Sequence, residues 1–328
     1  MDAAIRSQHR KSAVNLTPML VARTSPEQDD RRPLTIVVIS CMRPHYLREV
    51  LLSLVPQVTK HDEVFLFQDG RRNPFSQRGV ASEVIVDSCV SLFLSAFPKG
   101  RVFRSAENLG IAGNYRRAEQ YVFEALNRPV GLFLEDDLVL APNYLPVISD
   151  LIELALRNNR IGYVSAYGNF WASLEQQEDE CGRLQRMHEN WGAALTRSSW
   201  EAQKPVRERY WNLISDSDYK LRRQDLIRKL YANLGYNCFY TTQDSSRWIA
   251  SLAAGMVRLT TATCHARYIG AIGEHSDNSF YNRHRFKDSI FFPGRPVIGL
   301  PTKQQLDDWL AADLTEFSQG YRHHYLSK

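Results

Sequence analysis

Short apolar runs and helical apolar spacings alternate through the first half of the chain. Residues 34 to 40, LTIVVIS, form a continuous run rich in β-branched residues, as a strand buried on both faces requires. Pro44 suits the first position of the helix that YLREVLLSLV predicts. Residues 63 to 69, EVFLFQD, read as a second strand ending in an acid, followed by a helix over 83 to 97 and a short strand over 101 to 105. The loop AENLGIAGN then leads into a helix through YRRAEQYVFEAL, whose apolar face is Tyr115, Ala118, Val122 and Ala125 or Leu126. A strand at 130 to 134, a helix through NYLPVISDLIELALRNN and a strand at 161 to 167 complete the series. Such alternation predicts an α/β fold with a mostly parallel, Rossmann-like central sheet and helices on both faces. Ligands of such sheets bind beyond the carboxyl ends of the strands, which is where Asp69, Asn108 and the acids 135 to 137 fall.

The second half is patterned differently. Aromatic residues crowd the stretch from Phe170 to Trp211, and WNLISDSDYKLRRQDLIRKLYANLGYN reads as one or two amphipathic helices with a basic polar face. That face is a solvated surface in the plainer reading and a contact for an anionic lipid surface or acceptor in the other. The pattern divides the chain into an N-terminal tail expected to be mobile (1–33), a half of alternating strands and helices (34–170), a mixed half (171–293) and a C-terminal extension (294–328).

At 328 residues, 44% hydrophobic and 23% charged, the chain has the composition of an ordinary globular protein with a sizeable core. No window nears the roughly 18 apolar residues of a membrane span, and the polar first thirty residues lack the apolar centre of a secretory signal. The five cysteines are scattered without C-x-x-C spacing, which argues against a zinc site and a disulfide framework and fits a cytoplasmic protein. The net charge of +5 pulls weakly toward acidic partners and selects none of them.

Three features carry candidate chemistry. Asp69 in Gln-Asp-Gly could cap a turn or hydrogen-bond a nucleotide. Residues 108 to 113 place two glycines before a helix, a loop that offers N–H donors to phosphate but is neither a P-loop nor a dinucleotide fingerprint. The stretch GLFLEDDLVLAPNYL sets Glu135, Asp136 and Asp137 directly behind a buried run. A helix cap needs one acid, whereas Mg²⁺ or Mn²⁺ takes one or two carboxylates together with substrate phosphates.

With these residues the chain resembles the GT-A glycosyltransferases, most closely the N-acetylglucosaminyltransferase I family and its bacterial relatives. LFLEDDLVLAPNYL is similar to that family's metal motif, whose last acid binds Mn²⁺, here Asp137. SCMRP matches a nucleotide-contacting arginine at Arg43, and FLFQDG places Asp69 at the acid that reads uracil. GIAGNYRRAEQYVF is similar to a helix start where the family has His and this chain has Asn114. IGYVSAYGN and NWGAALTRSSWE resemble later segments, and QDSSRWIASLAAGMVRLTTATCHARYIGAIGEHSD fits the layout of the catalytic base, with Asp244 as the matching acid.

The resemblance implies a UDP-sugar donor, a divalent ion, and a glycan or lipid-linked saccharide acceptor, with no nucleic acid and with peripheral membrane contact. Asn108 would cradle the nucleotide, Glu135 and Asp136 would orient the ligand shell or donor sugar, and His275 would meet the leaving phosphate. An insertion near 205 to 240 departs from the family and the Trp-Asp-Asp pattern is absent, so Asp216 or Asp218 stands as the alternative base. A sugar-phosphate nucleotidyltransferase and a basic nucleic-acid-binding module are the competing functions. The first lacks its Gly-rich loop, and the second lacks any recognisable motif.

Overall fold

The computed structural model describes residues 31–273 and 277–321, so most of the expected tail and His275 lie outside the described residues. The described chain enters along an ion pair of Arg31 with Asp62, at 2.5 Å. It then passes through β1 (Thr35–Ser40), α1 (Pro44–Leu54), β2 (Glu63–Gln68), α2 (Glu83–Ala96) and β3 (Arg101–Arg104). Next come α3 (Gly110–Gln120), β4 (Val130–Glu135), β5 (Leu138–Leu140), α4 (Tyr144–Arg157), β6 (Ile161–Ser165) and α5 (Leu174–Asp179). The second half runs through β7 (Leu184–Arg186), β8 (Ala193–Thr196), α6 (Arg197–Ile214), α7 (Gln224–Asn233), α8 (Gln243–Ala253), β9 (Val257–Thr261), β10 (Ala266–Tyr268), α9 (Asn278–Arg283) and α10 (Lys303–Gln319).

Eight strands form one sheet in the order β3-β2-β1-β4-β8-β6-β9-β7. Neighbours are parallel except around β8 and β7, which run against the rest. All six residues of β1 are buried, because its alternate side chains feed two cores. Ile36 and Val38 pack in the cluster that includes Leu47 and Leu51 of α1, Phe93 of α2 and Ile148 of α4. Val37 and Ile39 pack on the other face with Tyr115 and Ala118 of α3 and Trp200 of α6. A third cluster joins α6, α7, α8 and α10 through Tyr210, Ile227, Trp248 and Phe317.

The helix after the glycine loop differs from the sequence reading. Gly110, at φ +70°, opens α3, and Gly113 lies inside the helix rather than before it. Beyond Gln120 the backbone takes a π-helical turn, Tyr121–Ala125. The extra residue in that turn shifts the register, so Val122 and Phe123 are buried and Ala125 is exposed. The amphipathic stretch of 211 to 237 takes the two-helix form: Trp211 to Ile214 close α6, a 3₁₀ turn follows at Tyr219–Leu221, and α7 begins at Gln224.

β5 is three residues long and pairs antiparallel with β10, outside the main sheet. Glu135 therefore ends β4, and Asp136 and Asp137 make the link into β5, which fixes the acids at the carboxyl edge of the sheet.

Charge also anchors the C-terminal helix. Asp313 of α10 pairs with Arg186 of β7 at 2.6 Å and with Arg258 of β9 at 3.6 Å, and both Asp313 and Arg258 are buried. Removing the acid strands the buried guanidinium of Arg258, whereas Arg186 keeps Glu316 at 2.9 Å. Asp313→Ala is expected to lower unfolding free energy by about 3 kcal/mol, seen as a lower urea midpoint at unchanged m-value.

Candidate functional site

The carboxyl ends of β1, β2 and β4 open onto a cavity of about 610 Å³. Its walls include eight of the residues singled out from the sequence: Arg43, Asp69, Asn108, Asn114, Glu135, Asp136, Asp137 and Asp244. Asp218 lines it as well, whereas Asp216 is exposed and ion-paired with Arg223 at 2.6 Å. The described residues thus converge on one crevice at the edge the topology predicts.

Asp69 forms the β2 corner of that crevice. Its Oδ1 accepts hydrogen bonds from the backbone N–H groups of Gly70 (2.9 Å) and Leu109 (2.8 Å), and its Oδ2 accepts one from Asn108 Nδ2 (2.9 Å). Burial raises its pKa to about 7, against the opposing pull of these donors. Gly70 is required here: a Cβ would lie 2.3 Å from the backbone of Glu107. Two of the loop's N–H groups are already committed, that of Asn108 to Arg72 O and that of Leu109 to Asp69. Asn114 is committed too. Its Nδ2 donates to Phe67 O (2.9 Å) and Ser40 O (3.4 Å), and its Oδ1 accepts from Arg117 Nε (2.8 Å). The amide ties α3 to the ends of β1 and β2.

The acid triplet is distributed among three partners. Glu135 accepts from the Tyr115 hydroxyl at 2.9 Å. Asp136 Oδ2 accepts from Ser40 Oγ and the Cys41 N–H, both at 3.3 Å, while its Oδ1 pairs with Arg43. Asp137 Oδ2 pairs with Arg43 at 2.6 Å, and its Oδ1 is buried with no hydrogen-bond partner. Burial and the neighbouring carboxylates raise the pKa values of Glu135 and Asp137. Among the described residues no group of three or more His, Cys, Asp or Glu is arranged as a metal cage. The orphaned oxygen of Asp137 nevertheless fits a hard divalent ion that takes one or two carboxylates and completes its shell from phosphates and water.

Asp244 sits in the first turn of α8, the helix capped by Thr242. Its Oδ1 accepts from Gln243 Nε2 (2.9 Å) and Asn190 Nδ2 (3.1 Å), and Arg247 Nη1 lies 3.7 Å away. Its Oδ2 makes no hydrogen bond among the described residues. The buried Arg247 is held in turn by Glu119 at 3.0 Å, and its guanidinium covers the Tyr115 ring at 3.9 Å. Asp244 and the acid triplet are therefore linked through Arg247 and Tyr115.

Sequence reasoning missed Asn190, whose buried amide reaches Asp244 across 54 positions of the chain. It also missed the aromatic wall in which Trp191 stacks on Tyr268, with centroids 4.5 Å apart and planes at 10°. The only signal was the Trp/Gly segment itself. Asp218 is neutralised where it stands, since its Oδ2 accepts from Ser76 Oγ at 2.5 Å and pairs with Arg78 at 3.3 Å.

An acid pair at the end of a central parallel strand, facing a nucleotide-sized crevice in a Rossmann-like sheet, defines the GT-A arrangement. Residues 35–230 match glycosyl transferase family 2, and the chain belongs to that family. No curated protein matches it. Among solved structures it is similar to GalNAc-T7 with UDP, GalNAc and Mn²⁺ (11% identity, TM-score 0.46, covering 91% of this chain and 59% of that one). It is also similar to glucosyl-3-phosphoglycerate synthase from Mycobacterium tuberculosis with Mn²⁺, UDP and glucosyl-3-phosphoglycerate (14%, 0.30, 58% and 63%). A cytidylyltransferase from Leptospira borgpetersenii is a third (16%, 0.33, 54% and 65%). The chain thus spans less than two thirds of these structures, and the family match and topology carry the fold.

Titration offers a check on the site. Asp69, Glu135 and Asp137 hold protons more tightly folded than unfolded, so their stabilising contribution is full below the ordinary carboxylate range. It is lost as pH rises through about 6 for Asp137, about 7 for Asp69 and about 8 for Glu135. Without added divalent ion, the melting temperature is expected to fall between about pH 5 and about pH 8, and Glu135→Gln should flatten that fall. Thermal scans across this range with equal slopes in both proteins would contradict the assignment of Glu135.

Proposed function

We propose that the chain is a metal-dependent inverting glycosyltransferase. It moves GlcNAc or another hexose from a UDP-sugar to a hydroxyl of a glycan or lipid-linked acceptor. The observation that carries this reading is the meeting of Asp137, with its unpartnered buried oxygen, and Asp244, with its unengaged one, on the walls of one cavity. Family membership and the narrower resemblance to N-acetylglucosaminyltransferase I support it.

In this reading Asp137 would hold the divalent ion, and Asp136, anchored to Ser40 and Cys41 at the end of β1, would orient its neighbour. The ion would supply Lewis-acid neutralisation of the departing diphosphate. Asp69 receives the base N–H of uracil, with Asn108 holding its carboxylate in place. Asn190 and Gln243 fix one oxygen of Asp244, so the other takes the acceptor hydroxyl's proton as that oxygen attacks the anomeric carbon. The bond from that carbon to the phosphate oxygen breaks and UDP leaves, with inversion at the anomeric centre. The aromatic wall of Trp191 and Tyr268 supports a saccharide face. Exposed Leu221, Leu226 and Phe239, near the basic Arg223, Arg228 and Lys229, support a lipid-linked acceptor presented at a membrane surface. A nucleotidyltransferase is disfavoured by the link from β1 to α1, which is only Cys41, Met42 and Arg43.

Asp244→Asn is expected to leave UDP binding with Mn²⁺ unchanged and lower kcat for transfer by about 10²- to 10⁴-fold. Transfer at the wild-type rate in that variant would remove Asp244 from the mechanism. Asp137→Asn should weaken Mn²⁺-dependent UDP binding about tenfold or more, measured by titration calorimetry.

A further inference from the structure

We infer that Arg43 is an internal competitor for the divalent ion. It holds the Asp136–Asp137 pair in the free protein and releases it when a diphosphate engages the guanidinium. The inference deepens the function proposed above and rests on its metal assignment.

Arg43 donates to Asp136 Oδ1 through one terminal nitrogen and to Asp137 Oδ2 through the other, the latter at 2.6 Å. The two acid side chains are 3% and 4% exposed, whereas the arginine is 24% exposed and lies on the cavity wall. As Asp137 stands, Oδ2 is taken by Arg43, and Oδ1, the unpartnered oxygen suited to the ion, is out of reach of solvent. A cation gains that carboxylate only if it turns, and turning breaks the pair with Arg43.

The surroundings hold the closed arrangement. Gly270 approaches so near that a Cβ there would lie 2.4 Å from Asp137 Oδ2, and one on Gly273 would lie 3.1 Å from Arg43 Nη1. The Tyr46 ring lies 5.6 Å from the guanidinium, and its hydroxyl accepts from the Ile272 N–H at 3.1 Å. A guanidinium and a divalent ion in contact with the same buried carboxylates would repel strongly, because little solvent screens them. A diphosphate gives the arginine an alternative partner of matching geometry. Nucleotide then raises the affinity for metal, and metal raises the affinity for nucleotide by the same factor.

The test is binding of Mn²⁺ to the full chain, followed by the electron paramagnetic resonance of free Mn²⁺, with and without UDP. Wild type is expected to bind Mn²⁺ alone weakly and about tenfold more tightly with UDP. Arg43→Gln should bind Mn²⁺ alone about tenfold more tightly than wild type and gain little from UDP. Equal or weaker binding of Mn²⁺ alone by Arg43→Gln would mean that Arg43 orders the carboxylates instead of competing for them, and the proposal falls. Should that variant fail to fold, Arg43→Lys keeps the charge and loses the double contact. Its affinity for Mn²⁺ alone should exceed that of wild type, and an affinity at or below wild type also overturns the proposal. None of these readings requires sugar transfer. Competition seen in a chain that hydrolyses no UDP-sugar would sink the proposed function and leave the role of Arg43 standing.

Discussion

The architecture of the crevice depends on the need to place carboxylates at the end of β4, a central strand buried along nearly its whole length. β4 enters the core as Val130–Leu134 and leaves it through three acids, so each acid must find a compensating group within a few ångströms. The chain finds them in different places. Tyr115 comes from α3, the Ser40 hydroxyl and Cys41 N–H come from the end of β1, and Arg43 comes from the first residues beyond it. The link from β1 to α1 can be so short because its task is to deliver one guanidinium.

The same requirement organises the second half. Arg247 is buried and therefore needs acids, and it has Glu119 on one side and Asp244 on the other. Glu119 also receives Arg207 of α6, so α3, α6 and α8 are joined by charge where they are also joined by packing. Asp244 owes its position to this arrangement and to Asn190, not to the helix dipole alone. A candidate base placed on the first turn of a helix is thereby held from three directions.

Much of this was legible in the chain itself. β1, β2 and β4 are apolar runs long enough to be unambiguous, and the acids that follow β2 and β4 mark the carboxyl edge of the sheet without further information. The resemblance at the acid triplet then singled out Asp137. What escaped was of three kinds. β5 is three residues long, too short for any periodicity to register, and its partner β10 lies more than a hundred residues away. Contacts such as Asn190 with Asp244 and Trp191 with Tyr268 are products of the tertiary fold and leave no local pattern. The π turn after Gln120 is a third case, in which a helix keeps its apolar composition but changes its phase. Asn114 shows the converse, since its place in a resembling motif suggested ligand contact while the amide serves three protein atoms.

The position of β8 has a mechanical consequence. This strand, from the second half of the chain, lies between β4 and β6 of the first half and hydrogen-bonds to both. The acids that follow β4 and the loop that carries Asn190 and Trp191 into β8 are consequently neighbours on one continuous hydrogen-bonded lattice. Any opening of the crevice that leaves the sheet intact must come from the segments above its edge, because no hinge can pass between these two strands without breaking their ladder.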